Sequence, residues 1–311
     1  MIRFIALRTL QALPVLLAVI VLTFILVRMA PGGPFDNEKV LPTEVIEQLN
    51  ARYHLDQPLP VQLFDYLSNL LRGDFGPSFR YPGRSVGEMI ASGLPFTLEL
   101  AFYALAVAVS IGILTGMVAA TRPGTTRDYL PMSLAMTGIC IPSFLMGPLL
   151  VLVFAVWLEW LPVSGWGYSP GDKVLPAITL GTTYAAFIAR LTRGGMLEVL
   201  QQDYIRTARA KGASEFKVLF HHALRGGLAP AVAYLGPATA GLISGSFVVE
   251  TIFQIPGLGR FYVEAAFNRD YTMILGTTIF YAALILAFNL LSDVLTAALN
   301  PRIRASINRV Q

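Results

Sequence analysis

Cysteine is almost absent from this chain. Cys140 is the only one in 311 residues, which excludes an intramolecular disulfide and a thiolate metal cluster. Charge is scarce too, at 14% of residues against roughly 25% in an ordinary soluble domain. With 55% hydrophobic residues, the chain is too apolar for a soluble protein of this length. A nucleotide phosphate cradle of the form GxxxxGK[ST] needs a Gly-Lys pair. The four lysines, Lys39, Lys173, Lys211 and Lys217, follow Glu, Asp, Ala and Phe, so there is no P-loop. His221 and His222 form the one histidine pair, and adjacent positions point about 100° apart on a helix, so they cannot share a metal as an i, i+4 pair does. No GxSxG nucleophile motif occurs. The composition thus implies no catalytic residues and no metal site.

Six runs contain no Asp, Glu, Lys, Arg or His: 9–27, 100–121, 129–158, 174–189, 226–249 and 271–292. Roughly 20 apolar residues cross a ~30 Å hydrocarbon core, so the chain reads as an all-α membrane protein with six transmembrane helices. The fourth run extends past Arg190, which can snorkel to the interface. The third is too short for a hairpin and reads as one span kinked near Pro142 or Pro148. The first looks superficially like a secretory signal, but its apolar part is long and Val27-Arg28-Met29 is a poor cleavage site, so it reads as a retained helix. The expected organisation is residues 1–30 as amino terminus and first span, 31–94 as an outer loop domain, and 95–311 as a core. In the core the spans fall at about 95–121, 129–160, 173–194, 228–250 and 271–298, with a cytoplasmic loop over 195–227.

An amino terminus inside the cell places most of the basic residues inside and leaves Lys173, Arg260 and Arg269 on the short outer loops. This is the positive-inside asymmetry, and it puts both termini in the cytoplasm. The net charge of +4 follows from that sidedness, so nucleic acid need not be invoked. Glu99, Arg190 and Asp293 lie near the ends of spans, which disfavours ion coupling at the midplane. No ring of charges or carbonyl filter suggests a channel. In the outer domain, Pro42-Thr43-Glu44 opens an amphipathic pattern through Val45, Ile46, Leu49 and Tyr53. A second pattern places Leu63, Phe64, Leu67, Leu70 and Leu71 on one face before Gly73. They read as a cap on the membrane helices or a docking surface for an external partner. In the fifth span, Gly236, Ala240 and Ser244 recur every four residues, a pattern that serves close helix packing or lines a polar pathway.

The most charged stretch, "DYIRTARAKGASEFKVLFHHALRGGLAP" at 203–230, falls on the inner side. Met196, Leu200, Tyr204 and Ala208 recur every four residues, so the fourth span is expected to continue as a helix until Gly212 permits a left-handed turn. Ser214 can cap a second helix with an apolar stripe of Phe216, Leu219, Phe220, Ala223 and Leu224. The tip then presents Arg206, Arg209 and Lys211. Such a tip is a solvated basic loop that touches lipid phosphates, or a surface that plugs into a cytoplasmic ATPase.

"RTARAKG" at 206–212, followed by "HALRGGLAP" at 222–230, resembles the coupling-loop motif of ATP-binding-cassette importer permeases of the dipeptide and oligopeptide family. Gly212 matches the motif glycine and Ala208 its second alanine, whereas Arg206, Thr207 and Arg225 depart from the general core as the peptide branch does. "LPTEVIEQLNARYHLDQPLPVQ", "GDFGPSFRY", "AMTGICIPSF", "ETIFQIPGLGR" and "NRDYTMILGTTI" extend the resemblance, to the first permease subunit of oligopeptide importers, over nearly the whole chain. It implies the type I importer permease architecture and a bacterial cytoplasmic membrane location. It also implies a homologous second permease, two cytoplasmic ATPases carrying ATP and magnesium, and an extracytoplasmic solute-binding protein, with no cofactor in this chain. Arg206, Thr207, Ala208, Arg209, Ala210, Lys211, Gly212 and Ala213 would form the ATPase-coupling loop. Glu250, Pro256, Gly257, Gly259 and Arg260 would lie at the outer mouth, as a tight turn or a gate. Related permeases carry nickel chelates, glutathione or opines, so the resemblance specifies family more sharply than substrate; a membrane scaffold that gathers ATPases without passing solute is the alternative of another class.

Overall fold

The computed structural model describes residues 2–30, 55–81 and 83–299. Among them, β pairing is confined to one isolated bridge between Pro77 and Ser85, and the rest is helix and turn. Helix α1, Ile2–Met29, is the first apolar run. It packs along the last helix and exposes Leu10, Leu22 and Leu26, as a helix against lipid does. The short helix α2, Leu59–Leu71, is followed by Gly73 with φ +78°. Its apolar face differs from the expected stripe: Leu63, Leu67 and Leu70 are half-buried, but Phe64 and Leu71 are exposed. Gln62 is buried in their place, because its side-chain amide donates to the carbonyls of Leu55 and Gln57 (3.1 and 2.7 Å). The first outer pattern, 42–53, lies outside the described residues.

Helix α3 runs Val86–Thr121 and so begins before the expected 95. The cause is a capping box: the Ser85 hydroxyl accepts from Glu88 N–H, and the Glu88 carboxylate accepts from Ser85 N–H (both 3.1 Å). Its 36 residues span about 54 Å, so its outer end stands beyond a ~30 Å hydrocarbon layer or tilts within it. The third apolar run is broken rather than kinked. Helix α4, Thr126–Cys140, and helix α5, Ser143–Leu150, with its π-helical continuation Val151–Trp157, meet at 110°. Pro142 has no N–H to donate and holds Ile141 in an extended conformation (ψ 112°), which ends α4 there. Pro148 is carried inside α5.

Helix α6, Val174–Leu200, crosses back beside α3. Contact is close because glycines face backbone: a Cβ at Gly116 would lie 2.4 Å from the Ala189 carbonyl oxygen, and one at Gly181 would lie 2.6 Å from that of Ala104. Three short helices follow: α7 (Asp203–Ala210), α8 (Glu215–Lys217) and α9 (Leu224–Gly227). The fifth span is α10 (Ala229–Gly245) continued by α11 (Phe247–Ile252). Helix α12 (Leu258–Asn268) then leads into the last span, α13 (Tyr271–Leu299). Five helices among the described residues are long and apolar enough to cross a membrane, and the bent pair makes a sixth if counted as one span. Among the described residues, buried apolar side chains form one large cluster around Leu100, Leu175, Leu242, Phe253 and Met273, and two smaller ones, around Met117, Met196, Ile205, Val218 and Ala223 and around Ala108, Ala185, Ile188 and Ala231.

Candidate functional site

The charged stretch folds as a docked hairpin. The expected continuous helix is interrupted: α6 stops at Leu200, and Gln202 is extended (ψ 149°) before α7 begins. Met196 is buried below the break, while Tyr204 beyond it is half-exposed. Ile205, fully buried, anchors α7 instead. It packs with Met117 of α3, Met196 of α6, Val218 and Ala223. Gly212 takes φ +82°. Gly212 N–H donates to Arg209 O (2.9 Å) and Ala213 N–H to Ala208 O (3.1 Å), the paired bonds of a Schellman ending. The Ser214 hydroxyl then accepts from Lys217 N–H (3.4 Å), capping α8.

The apolar stripe beyond Ser214 is displaced. Val218–Ala223 is a π-helical turn, which holds more residues per turn than an α-helix and rotates the buried side toward Val218 and Ala223. Phe216 and Phe220 are left exposed, their rings stacked 4.5 Å apart. Return of the chain to the membrane helices is tight: a Cβ at Gly195 would lie 2.2 Å from Gly227 O. The result is a short, firmly seated tip on which Arg206, Thr207, Arg209, Ala210, Lys211 and Gly212 are exposed, with Ala208 and Ala213 half-buried.

Across the turn, the Arg209 guanidinium donates to both Glu215 oxygens (Nε–Oε1 2.8 Å, Nη2–Oε2 3.2 Å). The hydrogen bond from Arg209 holds the Glu215 carboxyl below the ordinary glutamate range. A group with a lowered folded pKa contributes fully above its unfolded value and loses that contribution as pH falls through the folded one. Protection of the Lys211–Glu215 amides, measured against their intrinsic exchange rates at each pH, is therefore expected to fall on acidification through and below the ordinary glutamate range, and Glu215→Gln should remove that pH response. The pair is exposed, so the effect on global stability is expected to be small.

Above this tip, the Arg193 guanidinium of α6 makes a two-point contact with buried Asp128 (both 2.6 Å), and Asp128 also accepts from Gly124 N–H (2.9 Å). The turn between α3 and α4 is thereby tied to the helix that carries the hairpin. This pair went unread in the sequence, where 65 residues separate its members.

At the other end of the molecule, Glu250 is fully buried. Its Oε1 accepts from the hydroxyls of Thr97 (2.8 Å) and Ser246 (2.6 Å). The Arg260 backbone N–H donates to Oε2 of the same carboxylate (3.2 Å). Leu258 N–H donates to Thr97 Oγ1 (2.9 Å). Gly257 and Gly259 permit this approach, since a Cβ on either would lie 2.4 or 2.8 Å from Glu250 Oε2. Pro256 is exposed, and the Arg260 side chain pairs with Glu264 (2.8 Å). Of the small residues of the fifth span, Gly236 faces Ser292 of α13, where a Cβ would lie 2.1 Å from the serine Cβ. Ala240 is buried and Ser244 half-buried, so at Gly236 the small side chain serves helix packing.

The same architecture occurs in solved structures. A chain of the MetNI methionine ABC transporter, in an inward-facing conformation, superposes with a TM-score of 0.55 at 19% identity, covering 68% of this chain and 96% of that one. The fold is therefore that of a type I importer permease. Residues 112–305 match the family described as binding-protein-dependent transport system inner membrane component, and residues 1–101 match that family's N-terminal region; the chain belongs to this family of permease subunits. It is 46% identical to the oligopeptide transport system permease protein OppB of Haemophilus influenzae, over 98% of this chain and all of that protein. It is 45% identical to the dipeptide transport system permease protein DppB of Bacillus subtilis, over 93% and 94%, and 39% identical to DppB of Lactococcus lactis, over 98% and 100%.

Proposed function

We propose that this chain forms half of the passage of an ATP-driven importer for oligopeptides or dipeptides. The observation that carries the reading is the seated basic hairpin at 203–227. Its Schellman turn and buried Ile205 make it stiff enough to pass a push into α6 and α3, which an isolated solvated loop could not do. The names and full-length similarity of the peptide permeases support the substrate class. On this reading Arg206–Ala213 meet a cytoplasmic ATPase, both termini lie in the cytoplasm, and ATP with magnesium is bound by two partner ATPases. The absence of a Gly-Lys pair agrees with hydrolysis on those partners. A second permease completes the passage, and an extracytoplasmic binding protein delivers the peptide. Few fixed charges along the spans suit broad peptide selection, since a bare charge in a low-dielectric passage would hold some peptides and reject others.

Reconstitution of the five components in liposomes tests this. ATP-dependent uptake of a labelled tripeptide is expected, with none when the binding protein or ATP is omitted. Uptake of a nickel chelate or glutathione in place of peptides would reassign the substrate. ATPase binding without uptake of any of the three would leave the chain a scaffold.

A further inference from the structure

Helix α12 begins without a cap of its own. Its N-cap position is Gly257, which has no side chain to accept from the free N–H groups of the first turn. Those of Leu258 and Arg260 are satisfied from elsewhere, by Thr97 of α3 and Glu250 of α11. A carboxylate at a helix N-terminus is also favoured by the helix dipole. Contact extends to the backbone, because a Cβ at Gly93 of α3 would lie 2.8 Å from Leu258 N. The far end of α12 is held in a similar way. Arg269 turns left-handed (φ 56°), and buried Asp270 accepts from Ser78 Oγ, from Phe79 and Arg80 N–H (3.2 and 3.3 Å) and from Met273 N–H (3.1 Å). Between the ends, Tyr81 Oη donates to Glu264 (3.0 Å).

We propose that Glu250 and Thr97 are positioning residues for transport. They form a joint that makes α12 and the outer ends of α3 and of the fifth span move as one body. A displacement of either span then carries α12, and through Asp270 the 78–81 segment, with it. Without the joint, the spans can move while the outer rim stays behind, and ATP is spent without delivery. Transport as the consequence rests on the importer reading above; the joint itself is testable without it.

Glu250→Met removes both acceptor oxygens at similar volume, and Thr97→Val removes the hydroxyl while keeping the shape. Glu250→Gln and Thr97→Ser are the conservative partners. Gln can turn its amide oxygen to the Arg260 N–H and its NH2 to the hydroxyls, and Ser keeps the relay. Amide exchange on the assembled complex, without peptide, is expected to quicken about tenfold at Leu258–Arg260 in Glu250→Met and Thr97→Val, the size of losing a helix cap, and to stay near wild type in the conservative pair. Tripeptide taken up per ATP hydrolysed should fall severalfold in the first two at unchanged complex yield and recover in the second two. Wild-type exchange at 258–260 in Thr97→Val, which spares the carboxylate and needs no refolding around Glu250, would overturn the joint. Faster exchange with an unchanged peptide-to-ATP ratio would overturn its role in transport. A wild-type complex that took up no peptide would count against the importer reading alone, since the exchange result does not depend on it.

Discussion

Gly116→Leu is expected to remove most of the folded permease from the membrane. A Cβ at this position meets the Ala189 carbonyl oxygen at 2.4 Å, Thr192 Cβ at 2.7 Å and Arg193 N at 2.9 Å. Two of the three are backbone atoms of α6, which cannot rotate away as a side chain would. The helices must separate, and with them the Asp128–Arg193 contact just above. Overpacking of a core costs roughly 1–3 kcal/mol when side chains can yield. Here about 3 kcal/mol or more is expected, a shift of about a hundredfold in the folded fraction. Gly194→Ala is the control on α6, the helix against which Gly116 packs. Its added Cβ meets nothing within 4 Å, so it is expected to be neutral or to stabilise by up to about 1 kcal/mol through helix propensity. Thermal unfolding of the detergent-solubilised protein and its level in membranes measure both. Equal melting of Gly116→Leu and wild type would show that α3 and α6 do not meet as described.

Gly212→Val is expected to leave the permease folded and inserted but to cut productive transport about tenfold. Open space surrounds this glycine, so no clash arises. The cost lies in the backbone alone, because φ +82° is a left-handed conformation that a β-branched residue adopts at about 1–2 kcal/mol. That is about a tenfold loss of the native turn. The Schellman bonds at Arg209 and Ala208 open, and the orientation of α7 relative to α8 goes with them. Peptide uptake in the reconstituted system should fall about tenfold while membrane level and melting stay close to wild type. Gly212→Asn, which tolerates the left-handed region, should retain most of the uptake. Full transport by Gly212→Val would remove the hairpin from the path of coupling.

The features legible in the chain are those written in local chemistry. Uncharged runs near 20 residues mark spans because the hydrocarbon core tolerates few bare charges. Gly212 and Ser214 mark a helix end and a helix start because φ and capping are set within a few residues. The Ser85–Glu88 capping box was legible in the same way, as S-x-x-E, yet the more apolar run downstream drew the expected boundary to 95. Other features had no local signature. The four-residue period of Met196, Leu200, Tyr204 and Ala208 runs straight across a break at Gln202. A π-helical turn rotated Phe216 and Phe220 out of the stripe to which an α-helical period assigned them.

The candidate outer site shows the division most clearly. Composition, hydropathy and short motifs by themselves determined that this is an all-helical membrane chain without its own nucleotide cradle, with a turn at Gly212 and another in "ETIFQIPGLGR". Only the tertiary structure decided that Glu250 is buried, that it caps a helix eight residues downstream, and that it shares this work with Thr97, 153 residues away in the chain. Burial of an unpaired carboxylate is costly. Glu250 is buried here because two hydroxyls and the Arg260 backbone N–H, brought together by packing of α3, α11 and α12, replace the water it would otherwise require.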